Sequence, residues 1–266
     1  MPSDVPYIID SHAHLDYPQF EDQIEDVLSR AADLGVREVI SIGVKLSTAD
    51  RPRKLAERFD NIWFSAGIHP HEAGNEADAA NYTAIRQAVD HPKCVAVGEA
   101  GLDYFYQHAP AAAQANSFRT QIAVARDTGL PVIIHSRDAD EDMSAILRDE
   151  MEKGEFSAVL HCFSSGAGLA DTALELGHYI SFSGIVTFGT PEELRQIAKM
   201  VPMDRILVET DSPYLAPTPY RGKTNEPGYT RYVCEKIAEI KGVSCHEMAE
   251  IATSNTRRLF SKMAAG

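Results

Sequence analysis

Residues 24–43, IEDVLSRAADLGVREVISIG, carry two periodicities back to back. Ile24, Val27, Leu28, Ala31 and Leu34 recur at helix spacing, and Gly35 stands just past the last turn, where a helix ends readily. Residues 36–43 follow at once as a strand rich in β-branched side chains. A helix feeding straight into a strand is half of a βαβ unit, because parallel strands need a crossover connection. Outward from this stretch the alternation repeats. Eight strand candidates fall at residues 7–10, 36–43, 62–68, 94–99, 131–135, 158–161, 179–183 and 205–209. Several are almost wholly apolar, as strands covered on both faces are. Helical patterns occupy 48–58, 79–89, 112–128, 140–152, 168–176 and 192–200, and two more, around 229–240 and 246–260, complete the chain. With no linker and no low-complexity tract, the expectation is one domain over residues 1–266, a closed (β/α)₈ barrel of α/β class. An open doubly wound sheet is the alternative, but no Gly-x-Gly-x-x-Gly turn or Gly-Lys-Thr loop supports it.

Composition narrows the function. The 266 residues suffice for a large core, and 44% are hydrophobic and 24% charged, ordinary values for a globular chain. No apolar run reaches the roughly 18 residues of a membrane span, and residues 1–10 lack the basic region and long apolar stretch of a signal peptide. Cys94, Cys162, Cys234 and Cys245 show no Cys-x-x-Cys spacing, so they are expected as buried thiols of a cytoplasmic protein. The net charge of −14 argues against a coat protein for nucleic acid. It does not exclude a nucleic-acid substrate held through divalent cations, which supply positive charge locally.

The chemistry is carried by where potential ligands fall on the strand map. If the first strand runs on through His14, side chains alternate and Asp10, His12 and His14 share a face. His12 and His14 end the first strand, His69 and His71 the third, Glu99 the fourth, His135 the fifth, His161 the sixth and Asp211 the eighth. In a (β/α)₈ barrel these ends converge on the rim where active sites sit. Taken singly, His135 and His161 are as readily capped core histidines as ligands, whereas Glu99 and Asp211, ending apolar runs, require a partner or a cation. Four histidines and two carboxylates exceed the three protein ligands of a mononuclear catalytic zinc site. They suit a centre of two divalent cations about 3.5–4 Å apart, with Glu99 as the bridge and a shared water as the nucleophile of a hydrolysis. Ser183-Gly184 lacks the preceding glycine of a nucleophile elbow.

The sequence resembles the TatD family of metal-dependent deoxyribonucleases, within the amidohydrolase-like barrels. The resemblance spans nearly the whole chain. It rests on Ile9-Asp10-Ser11-His12-Ala13-His14-Leu15-Asp16, Gly67-Ile68-His69-Pro70-His71 and Gly98-Glu99-Ala100-Gly101-Leu102-Asp103-Tyr104. It continues in Pro131-Val132-Ile133-Ile134-His135-Ser136-Arg137, Leu160-His161-Cys162-Phe163 and Glu209-Thr210-Asp211-Ser212-Pro213-Tyr214-Leu215, with Arg221-Gly222-Lys223 and Asn225-Glu226-Pro227. It implies that His12, His14, Glu99 and Asp211 hold one metal and Glu99, His135 and His161 the other. It further implies divalent-metal DNase activity, often exonucleolytic, with His69 meeting the substrate phosphate and Asp211 as the base that activates the water. Arg137, Arg221 and Lys223 are then candidate phosphate contacts. Thr224 and Tyr220 depart from the family's loop, where basic residues and a histidine are common. The loop is less cationic for it, and Tyr220 either packs or stacks on an unpaired base.

Mixed imidazole and carboxylate ligands accept Zn, Mn, Fe or Ni, and Mg enters from the family's chemistry. The expected substrate is DNA, single-stranded or at ends, with no membrane and no obligate protein partner. Two other readings keep the same residues: hydrolysis of a small-molecule or aminoacyl ester or amide, and a non-enzymatic metal scaffold.

Overall fold

In the computed structural model, which describes residues 6–76, 81–189 and 192–264, eight strands lie side by side in sequence order. They are β1 (Ile8–Ala13), β2 (Val36–Ser41), β3 (Ile62–Ala66), β4 (Cys94–Asp103), β5 (Val132–Arg137), β6 (Ala158–Leu160), β7 (Tyr179–Phe182) and β8 (Ile206–Val208). Every neighbouring pair from β1 to β8 is parallel. The ring closes where β1 meets the segment after β8. Ala13 bridges Ser212 in parallel, the His14 amide donates to the Ser212 carbonyl (2.8 Å), and the Asp211 amide donates to the His12 carbonyl (2.9 Å). This is a (β/α)₈ barrel; an open doubly wound sheet would reverse its strand order part-way.

Nine helices accompany the strands among the described residues: α1 (Ile24–Asp33), α2 (Asp50–Arg58), α3 (Tyr82–Ala88), α4 (Ala111–Thr128), α5 (Asp140–Lys153), α6 (Ala167–Glu175), α7 (Glu192–Met200), α8 (Thr230–Lys241) and α9 (Cys245–Leu259). Gly35, between α1 and β2, takes φ +90°, a conformation costly for any residue with a Cβ. The segment read as a helix over 48–58 divides into a 3₁₀ turn, Leu46–Thr48, and α2. The reading over 79–89 begins outside the described residues; within them α3 starts after Asn81, whose side chain caps it by accepting from the Ala84 amide (3.0 Å).

Side-chain alternation along the strands sorts the core into two layers. Ile8, Val39, Val97, Ile134, Leu160 and Val208 pack outward against helix residues such as Val27, Ala56, Ile122 and Leu147. Ile9, Ile40, Val95, Ile133, Val159 and Leu207 form a separate inner cluster with Leu259, Phe260 and Met263, from the end of the chain. The inner barrel is therefore filled by apolar side chains at one end, and the strand C-terminal ends remain for polar groups.

Two strands differ from the sequence reading in ways that shape the site. β1 begins at Ile8 rather than Tyr7, and its register with β2 is irregular between Asp10 and Ala13. β4 runs on to Asp103, four residues beyond the expected end at Glu99. Gly98 and Gly101 let it run on close beside β5. A Cβ on Gly101 would stand 2.0 Å from the His135 carbonyl oxygen, and one on Gly98 would stand 2.8 Å from that of Ile133. The sulfurs also differ in part: all four cysteines are free, but only Cys94 and Cys234 are buried, while Cys162 and Cys245 are half-buried. Among the described residues no helix is long and apolar enough to cross a membrane.

Candidate metal centre

Glu99 is the hub of the strand-end cluster, and it is 2% exposed. Its Oε2 faces His12 Nε2 at 3.4 Å and His14 Nε2 at 3.9 Å. Its Oε1 faces His161 Nε2 at 2.8 Å, His135 Nδ1 at 3.1 Å and His69 Nε2 at 3.3 Å. Asp211 Oδ1 closes the first side, 3.3 Å from His14 Nε2 and 3.6 Å from His12 Nε2. The structure thus brings together His12, His14, His69, Glu99, His135, His161 and Asp211, from six strands of the barrel. Asp211 and Cys162 both take left-handed backbone angles, φ 58° and 45°, which are unfavourable for residues with a Cβ and recur at functional sites.

The donor set fits a cation. Among the described residues, His12 Nδ1 and Nε2 and His14 Nδ1 are buried without a hydrogen-bond partner. Unsatisfied buried imidazole nitrogens are costly, and they are the donors that divalent transition ions take. Three groups bring their ligand atoms within 4.8 Å of one another: His12, His14 and Glu99; His69, Glu99 and His135; and His12, His161 and Glu209. The first matches part of one ligand set expected from sequence. The second puts His69 beside His135, nearer a ligand's position than a phosphate contact alone requires.

Three carboxylates organise this cluster from behind, and sequence reasoning gave none of them a role. Asp103 Oδ2 meets His135 Nε2 at 3.0 Å and His71 Nε2 at 2.7 Å, fixing the ring whose other nitrogen faces Glu99. Gln114 clamps Asp103, accepting from its amide (2.7 Å) and donating to its carbonyl (3.0 Å). Glu209 Oε1 meets His161 Nδ1 at 3.2 Å and accepts from the Cys162 amide at 2.7 Å. Asp10, although it alternates with His12, does not join the ligands. It accepts from the Thr210 amide (2.9 Å), the Thr210 hydroxyl (2.6 Å) and the His12 amide (3.2 Å), tying β1 to the end of β8. The available signal was the same for all three: a carboxylate at the end of an apolar run must find a partner.

Burial and charge set the protonation tendencies. Burial disfavours the ionised form of Glu99, but His161 and His69 beside it prevail and hold its carboxyl well below the usual range. Burial opposes the charged form of His161 as well, and Glu99 and Glu209 at its two nitrogens overcome it, raising the imidazole well above its ordinary value. His69 is pushed down to about 4 by burial. Asp10 is pushed up to about 8 by burial, against the hydrogen bonds from Thr210.

The basic loop residues stand apart from this cluster. The Arg137 guanidinium lies over the rings of Phe105 (4.4 Å) and Tyr106 (5.1 Å), Arg221 over Phe188 (4.0 Å), and the Lys223 ammonium over Tyr220 (5.6 Å). All three cations are exposed, and among the described residues none forms an ion pair. Tyr220 packs: it stacks on Tyr229 at 4.2 Å and 7°, and its hydroxyl is 3.1 Å from that of Tyr232.

A family model described as "TatD related DNase" matches residues 9–261, from the first strand to the end of the last helix. The chain belongs to the TatD-related DNase family. Among its relatives, the protein named "Uncharacterized metal-dependent hydrolase YcfH" of Escherichia coli (strain K12) is 43% identical over 257 residues, 96% of each chain. A protein of Shigella flexneri serotype 5b, named "3'-5' ssDNA/RNA exonuclease TatD", is 32% identical over 258 residues, 95% of this chain and 98% of that one. Of solved structures, the TatD homologue YjjV of Escherichia coli K12 superposes with a TM-score of 0.88 at 29% identity, covering 96% of this chain and 98% of its own. The fold of this relative is thus shared over nearly the whole chain.

Proposed function

We propose that this TatD-family chain is a metal-dependent hydrolase that cleaves phosphodiester bonds of DNA, from strand ends, at a centre of two divalent cations. The observation that carries the reading is the division of labour at Glu99, whose two oxygens face two different sets of imidazoles. His12, His14 and Asp211 would hold one cation beside Oε2, and His135 and His161 the other beside Oε1. When bound, such cations polarise phosphoryl oxygens and lower the pKa of water. The chain's own residues do the rest. Asp211, its side chain 15% exposed, receives the proton of the attacking water at a carboxylate oxygen. His69 Nε2 meets the scissile phosphate from the β3 side, and Arg137, Arg221 and Lys223 donate to flanking phosphates. The relative named as a 3'-5' ssDNA/RNA exonuclease supports the substrate class and the action from ends. Four free thiols are in keeping with a cytoplasmic setting.

The test is digestion of end-labelled single- and double-stranded DNA with Mg²⁺, Mn²⁺ or Zn²⁺, with and without chelator. Chelator-sensitive shortening is expected, and Glu99→Gln should lower it at least about 100-fold while leaving the thermal transition near wild type. Faster turnover of esters or amides than of phosphodiesters, or cleavage that survives chelator, would overturn the assignment.

A further inference from the structure

We propose that Phe105 and Tyr106, braced by Arg137, form a base-stacking platform that takes the unpaired nucleobase next to the scissile bond, a deepening that rests on the nuclease reading above. Both residues lie just past β4, after Tyr104, and are half in solvent, 53% and 51% exposed. Each ring is covered in part, Phe105 by Arg137 at 4.4 Å and Tyr106 by Arg137 at 5.1 Å and by His108, stacked at 5.8 Å and 6°, and the area still facing solvent beside the polar pocket is a surface for a flat apolar ligand. Their position is fixed rather than floppy. The Phe105 and Tyr106 amides donate to Asp103 Oδ1 at 3.1 and 2.9 Å, and the other oxygen of that carboxylate holds His135 and His71. The platform and the Glu99 cluster are therefore registered through one side chain.

The rings meet edge to face at 4.9 Å and 87°. The Tyr106 ring also packs at 5.4 Å on the His71 ring, so the aromatic surface runs up to the edge of the pocket. Arg137, at the end of the adjacent β5, lies over both rings and keeps its in-plane N–H donors for a phosphate. An aromatic face beside an unpaired guanidinium matches a nucleotide, base on ring and phosphate on cation. The occupant is an unpaired base because a duplex keeps its base faces stacked on one another. The overall charge of −14 points the same way: long-range attraction of a backbone is weaker, and stacking and a few local cations carry more of the grip. Tyr220, the aromatic that the sequence offers for stacking, is spent on Tyr229 and Tyr232.

The experiment pairs two substrates with a small variant series of the metal-loaded protein. One end-labelled single-stranded oligonucleotide carries a normal base beside the scissile bond, and the other an abasic residue there. Wild type should cleave the abasic strand about 10-fold less efficiently, within the range that loss of one stacked base gives. Phe105→Ala/Tyr106→Ala should fall about 10-fold on the normal strand and match wild type on the abasic one. Tyr82→Ala, an exposed aromatic on α3, should behave as wild type on both strands. Equal losses on both substrates, or no abasic penalty in wild type, would overturn the platform. Binding of the same two strands, followed by fluorescence anisotropy, separates the two readings. If wild type cleaves no DNA the nuclease reading fails, and if it binds both strands equally the platform fails.

Discussion

At the scale of single residues, Glu99 and Asp103 divide the work between contact and orientation. Glu99 faces five imidazoles, whereas Asp103 meets two, at His135 Nε2 and His71 Nε2, and accepts from the Phe105 and Tyr106 amides. Asp103→Asn keeps the shape but weakens the grip on His135 Nε2. We expect a 10- to 100-fold weaker affinity for the cation on the Oε1 side, the order typical of such orienting carboxylates, with the other cation's affinity retained. Isothermal titration of metal into stripped protein reads both. Equal weakening of both affinities would show that Asp103 acts on the whole rim. The residues that meet at the strand ends were legible in the sequence because each ends an apolar run. The orienting carboxylates were not, since the partner that gives each its role is remote in sequence: Asp103 is 32 positions from His135 and Glu209 is 48 from His161.

At the scale of elements, β4 decides whether the rim assembles. Gly98 and Gly101 permit the close approach of β5, and sequence periodicity does not report such tertiary demands. Gly101→Ala sets a Cβ 2.0 Å from the His135 carbonyl at φ +140°, so β5 must shift with its ligand. Gly129→Ala also lies at positive φ, +68°, but meets nothing within 4 Å. Denaturant titration should give a loss of about 1 kcal/mol for Gly129→Ala, the ordinary cost of a Cβ in the left-handed region. Gly101→Ala should lose several-fold more, about 3 kcal/mol or above, since packing and conformation fail together. Similar losses would place the closeness of β4 and β5 outside the stability of the barrel. The strand order itself was readable from eight apolar runs separated by helical patterns, whereas Asp10 shows the limit of alternation. It shares a parity with His12, but the irregular register of β1 sends its carboxylate to Thr210.

At the scale of the whole molecule, acid stability carries a signature far from the rim. His178, just before β7, is fully buried, and among the described residues neither ring nitrogen has a hydrogen-bond partner. Burial pushes its imidazole down to about 4, from an ordinary 6.5. The folded value is the lower one, so the unfolded chain takes up the proton first. Stability tied to His178 is whole above pH 6.5 and is lost as pH falls from there toward 4. Between pH 7 and pH 5 this amounts to about 2 kcal/mol. His178→Leu should lose correspondingly less stability over that interval, measured as the difference in denaturant midpoint at the two pH values. An unchanged pH dependence would mean that His178 is already solvated or protonated in the fold.

On the proposed reading the rim holds two cations joined at Glu99, and His12 serves only one of them. Metal analysis of purified wild type and His12→Ala, each stripped, reloaded and desalted, tests it most directly. The expected result is about two equivalents in wild type and about one in His12→Ala, retained on the side of His135 and His161. A single equivalent in wild type, or the loss of both cations together in His12→Ala, would contradict it.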